Sequence, residues 1–112
     1  MNMLYHKTLT DSRWNQFSFM EQMGNIGGEI GRMRRWKDKD RVQFESALER
    51  ALELLDLTRA DARWQSLPRL KELCRLRETL LDAVYGNRTY GNDLENLDNY
   101  LLQFAVGARL QK

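Results

Sequence analysis

Cysteine and proline each occur once in this 112-residue chain, as Cys74 and Pro68, and His6 is the single histidine. A lone cysteine excludes an internal disulfide and every zinc site built on paired cysteines, and it suits a reducing, cytoplasmic setting. One proline leaves most of the chain in long uninterrupted pieces, which favours helices over many short strands. Long apolar runs are missing too. The first residues, MNMLYHKTLTDSRW, lack the core of a signal peptide, and no segment approaches the roughly 20 apolar residues that cross a bilayer. A soluble protein without a membrane partner is expected. Charge of one sign is not in excess: 18 basic and 16 acidic residues give a net charge of +2, so the overall field defines no partner.

These absences also limit the chemistry. Carboxylate-bridged metal bundles need Glu-x-x-His elements from two helices, whereas His6 precedes the first periodic segment. Helical ribonucleases and nucleotidyltransferase partners of this size place arginine and histidine close together on a late helix, and the second half of this chain has no histidine. Cys74 lies in KELCRLRE, between leucines. It reads as a small apolar core residue, the catalytic alternative being a thiol activated by Arg75 or Arg77 but lacking a nearby base. Glu29 with Glu49 or Glu53 has no spacing that demands a divalent cation. The expectation is a protein that is not an enzyme, with no catalytic residue, metal, cofactor or small-molecule substrate.

What the sequence does have is helical periodicity. Residues 1–11 read as an irregular lead-in. From Ser12 to Trp36, the residues Phe19, Met23, Ile26, Ile30 and Met33 recur at spacings of 4, 3, 4 and 3 and mark one face of a helix, with Asp11 or Ser12 as its cap. Asp40 with Gln43 has the form of a capping box opening a second helix over 40–60. Its inner face carries Phe44, Ala47, Leu48, Ala51, Leu54 and Leu55, opposite Glu45, Glu49, Glu53 and Asp56. Trp64 falls in the connection that follows. Ser66 caps a third helix over 66–85, with Pro68 in the first turn, where its missing N–H removes no helical bond. Leu70, Leu73, Leu76, Leu80, Leu81 and Val84 form its stripe. The turn-rich segment Gly86–Asn92 then breaks the period. A fourth helix over 93–109 carries Leu94, Leu97, Leu101, Phe104 and Ala108. Four amphipathic segments on short links predict a single all-α domain, an up-down-up-down four-helix bundle.

The stretch MGNIGGEIGRMRRW, residues 23–36, poses the main functional question. Gly24, Gly27, Gly28 and Gly31 are not a phosphate loop, because no strand precedes them and no Gly-Lys-Ser/Thr follows. Each glycine inside a helix costs about 1 kcal/mol relative to alanine, so a compensating gain is implied. A smooth strip for close approach of another helix, in the same chain or in the next subunit, supplies it. Beside it run Gln22, Asn25, Glu29 and Arg32, read either as a solvated edge with a Glu29–Arg32 pair or as polar groups fixing register at a bundle or subunit boundary.

Six cations, Arg32, Arg34, Arg35, Lys37, Lys39 and Arg41, fall in ten positions around Trp36. Phosphate contact by these groups, with Trp36 stacked on an unpaired base, would make a nucleic-acid surface for RNA or DNA. The competing reading is that the helix dipole favours cations at this end and that Trp36 covers the bundle. Arg69, Lys71, Arg75 and Arg88 are candidates to extend the basic surface, and Trp14, Phe17 and Tyr90 serve either the core or subunit contacts.

The order Gln22, Asn25-Ile26, Glu29 and Arg32, then Phe44 and ALERALELLDL, resembles the four-helix-bundle family encoded within 23S rRNA intervening sequences. It is similar also to the accessory protein of diversity-generating retroelements. The family pattern is a glutamine-led helix containing Asn-Ile-Ala-Glu-Gly and a basic end, then a helix rich in Ala, Leu and Glu, and the likeness covers about residues 19–85. Here Asn25-Ile26-Gly27-Gly28-Glu29 is one residue longer, and the long helix that precedes the segment in the family is missing. The resemblance implies a small cytoplasmic bundle that forms a homo-oligomer, typically a pentameric ring, and binds nucleic acid without catalysing a reaction. A protein-protein adaptor or scaffold with no nucleic-acid affinity is the alternative function.

Overall fold

The computed structural model describes residues 11–86 and 94–110, without the side chains of residues 11 and 12. Residues 1–10 of the expected lead-in, the 87–92 turn, and Arg88 and Tyr90 lie outside the described residues, whereas Asp11 and Ser12 belong to a separate helical turn and do not cap the first long helix, which Ser18 caps. Four long helices carry the fold: α1 (Phe19–Trp36), α2 (Arg41–Ala60), α3 (Leu67–Tyr85) and α4 (Leu94–Leu110). A single helical turn, Asp11–Trp14, precedes them, and a 3-10 turn, Ala62–Trp64, separates α2 from α3. The described residues contain no strand.

The first helix begins later than its periodicity predicts. Residues 15–18 break the chain between Trp14 and Phe19, and Ser18 starts α1 afresh. Its hydroxyl accepts from the Glu21 N–H at 3.1 Å while Glu21 Oε1 accepts from the Ser18 N–H at 2.8 Å, a reciprocal cap that satisfies two backbone donors. The periodic residues all lie after that break, so periodicity could not locate the start. Asp40 caps α2 by accepting from the Gln43 N–H at 3.1 Å. Ser66 holds the cap position of α3 without a side-chain bond, so Pro68 and the backbone set that start.

The order up-down-up-down follows from the side-chain pairs. Gly24 faces Ala105, Gly27 faces Leu101 and Gly31 faces Asp98, so α1 and α4 run antiparallel. Gln22 meets Asp61 just beyond α2, and Glu72 meets Tyr100 across α3 and α4. Helix α1 packs along its length between α2 and α4, while α3 touches its two neighbours more sparsely. Met23, Ile26, Ile30 and Met33 of α1 are fully buried, together with Ala51, Leu55, Leu73, Leu80 and Leu101. Each large apolar side chain removed from water in this way contributes about 1.5–3 kcal/mol.

At the end of the bundle where α1 starts, the core becomes polar. Gln22 is completely buried; its amide donates to the Trp14 carbonyl and to Asp61 Oδ2, both at 3.0 Å, and its Oε1 accepts from Trp64 Nε1 at 2.9 Å. Trp14 Nε1 donates to the buried Thr58 hydroxyl at 3.2 Å. Arg63 grips Asp61 through Nε (3.1 Å) and Nη2 (2.8 Å) and also donates to the Phe17 carbonyl. Every polar group of this buried cluster thus has a partner, as burial requires.

Candidate nucleic-acid interface

The opposite end of the bundle holds the basic segment. Helix α1 ends at Trp36, whose carbonyl accepts from the N–H groups of both Lys39 and Asp40 at 2.9 Å. This turns the link Lys37–Lys39 back onto the bundle before Asp40 starts α2. The arginines of the last turn, Arg34 and Arg35, and the lysines of the link lie where the negative end of the helix dipole favours positive charge.

The six cations are not equivalent. Arg34 Nη1 donates to Asp98 Oδ2 at 2.8 Å, with Glu95 at 4.0 Å, and so ties α1 to α4. Arg32 lies 3.8 Å from Glu29, and Arg41 Nε is 3.1 Å from Glu45. Arg35, Lys37 and Lys39 are exposed, and none of them has an ion pair among the described residues. These three are the cations available to a phosphate. The sequence presents the six as one run; the structure divides them by what each side chain meets.

Beside the link lies an open groove of about 500 Å³. One wall is Trp36 with Lys37–Arg41, the other is Ala83–Tyr85 at the end of α3, and Phe44 and Leu94 also line it. Tyr85 is 72% exposed, and Trp36 is half-buried. Sequence reasoning missed Tyr85 because it follows the apolar stripe of α3 without belonging to it. Only the fold brings the end of α3 beside the α1–α2 link.

The other anticipated site residues do not join this groove. Gly24 and Gly27 face α4 so closely that an added Cβ would lie 3.1 Å from Ala105 Cα and 2.8 Å from Leu101 Cβ, respectively. Gly31 has looser contact with Asp98, and Gly28 has nothing within 4 Å of an added Cβ. Three glycines of the strip therefore face a helix of the same chain, and Gly28 faces outward. Gln22 belongs to the buried cluster at the far end. Asn25 is exposed and donates to the Glu21 carbonyl of its own helix at 2.8 Å, and Glu29 is half-buried beside Arg32.

The further basic candidates are also placed. Arg69 stacks over Phe19 and Trp64, 4.4 and 4.9 Å from the ring centres, so it is committed to packing. Lys71 and Arg75 line a separate groove of about 570 Å³ between α3 and α4, where Tyr100 donates to Glu72. Burial, followed by that hydrogen bond, pushes the Tyr100 phenol up to about 12. Trp14, at 2% exposure, is core, and Phe17 packs on it edge-to-face.

Among the described residues no three His, Cys, Asp or Glu side chains gather as a metal site, and no helix is long and apolar enough to cross a membrane. Comparison with protein-family models, curated proteins and solved structures gives no match.

Proposed function

We propose that this protein is a non-catalytic, homo-oligomeric helical bundle that binds RNA or DNA through the α1–α2 link. The observation that carries the reading is that Arg35, Lys37 and Lys39 are exposed and lack ion pairs among the described residues, with Lys37 and Lys39 lining an open groove. Cations already neutralised by carboxylates gain little from a phosphate, whereas these three would release counterions from it on contact. The resemblance to the bundles encoded within 23S rRNA intervening sequences implies the same function.

Assembly would multiply a weak site into useful avidity. Leu102, Val106 and Leu110 recur every four residues on α4 at 54%, 43% and 80% exposure, an outward apolar stripe that supports self-association. Gly28 offers a smooth spot on α1 for the same purpose.

The test is binding of labelled oligonucleotides at low salt. Replacing Arg35, Lys37 and Lys39 together by Ala is expected to abolish binding with the melting temperature unchanged. Arg34→Ala, which cuts a tie to α4, is expected to weaken binding less than Lys37→Ala does. Undetectable binding by the unmodified protein, or full binding by the triple variant, would refute the reading.

A further inference from the structure

The aromatic rings of the described residues divide into two groups. Trp14, Phe17, Phe19, Trp64, Tyr100 and Phe104 all meet another ring edge-to-face, with centroids 5.2–6.2 Å apart. Trp36, Phe44 and Tyr85 meet no other ring, and all three line the groove at the α1–α2 link. They arrive from three different helices, so no local periodicity places them together. Phe44 is anchored against the core, while Tyr85 is 72% exposed. The same groove is edged by Lys37 and Lys39, two of the cations without ion pairs among the described residues, together with the carboxylates of Asp38, of Asp40, which caps α2, and of Glu45, which pairs with Arg41.

We infer that the groove receives an unpaired base, making the protein selective for single-stranded nucleic acid over duplex. This rests on the phosphate-binding reading of Arg35, Lys37 and Lys39 and adds the class of nucleic acid to it. A duplex shows its phosphates and the edges of its bases, and its ring faces are already stacked on one another. Such a ligand meets the cations but offers Trp36 and Tyr85 nothing to stack on. A single strand supplies both, since every base has a π-face and the backbone charge follows it at regular intervals. The volume of about 500 Å³ lies within the range of roughly 300–1,000 Å³ for clefts that hold small ring systems.

The experiment compares one oligonucleotide as a single strand and as a blunt duplex, by fluorescence anisotropy at low salt, with unmodified protein and four variants. The unmodified protein is expected to bind the strand at least about tenfold more tightly than the duplex. Tyr85→Ala, at an exposed position that folding does not need, is expected to reduce that preference about tenfold. Trp36→Ala should do the same, while Trp36→Phe, which keeps a flat ring, should retain most of it. Equal binding of strand and duplex overturns the inference while leaving the phosphate reading standing. A preference unmoved by Tyr85→Ala and Trp36→Ala, but erased by Lys37→Ala, also overturns it, because phosphates alone would then hold the strand. Binding of neither form removes the phosphate reading itself.

Discussion

Asp61 keeps its charge although its side chain is 1% exposed. Hydrogen bonds from Arg63 hold its carboxyl below the usual carboxylate value of 3.8, at about 2, against the opposing effect of burial, and Gln22 adds a further bond. The unfolded chain binds that proton at a higher pH than the folded one does. The stabilisation is therefore complete above about pH 4, lost as pH falls towards 2, and worth about 2 kcal/mol. Urea unfolding of the native protein and of Asp61→Asn across this window is expected to show a stability gap that closes on acidification. A gap that persists at the acid limit would contradict the assignment. Gln22→Leu should cost about 1–3 kcal/mol, because it leaves Trp64 Nε1 without its acceptor and takes one of two donors from Asp61 Oδ2; chemical denaturation measures it.

At the scale of the helix, α1 brings opposite requirements onto neighbouring faces. An added methyl at Gly27 would lie 2.8 Å from Leu101 Cβ, an atom fixed to the α4 backbone. Gly27→Ala is thus expected to destabilise the fold by about 1–2 kcal/mol, the strain of overpacking outweighing the gain in helix propensity. Gly28→Ala meets open space and should stabilise by up to about 1 kcal/mol. Paired urea melts of the two variants decide this, and shifts of the same sign would contradict it. The apolar stripes of all four helices were legible in the sequence because burial repeats with the helical period. The break at residues 15–18 was not, because Ser18 and Glu21 act through one local bond pair and leave no periodic trace. The basic run was divisible only in part, since Arg32 and Arg41 pair within their own helices whereas the partners of Arg34 lie more than 60 residues away. Gln22 looked like part of an exposed polar strip. Only Asp61 and Trp64, about 40 positions distant, make it a buried hub.

For the whole molecule, the two ends of the bundle differ in kind. One is closed by a fully satisfied polar cluster in which arginines and rings are engaged with one another. Among the described residues, the other leaves Arg35, Lys37 and Lys39 without ion pairs and the rings of Trp36, Phe44 and Tyr85 without ring contacts, all but Arg35 lining one groove. If the protein self-associates as proposed, the exposed apolar stripe on α4 is the surface for the second copy, and Leu102→Lys with Val106→Lys is expected to shift the protein to monomer in analytical ultracentrifugation. An unchanged sedimentation coefficient would remove that stripe from the interface. The central claim is that the uncommitted cations meet phosphates, and the salt dependence of oligonucleotide binding tests it most directly. With three phosphate contacts per subunit on a single strand, log Kobs should fall against log salt with a slope of about −2, and Lys37→Ala should flatten it by about 0.7. A slope near zero, or one that the triple Ala replacement of Arg35, Lys37 and Lys39 leaves unchanged, would contradict the account.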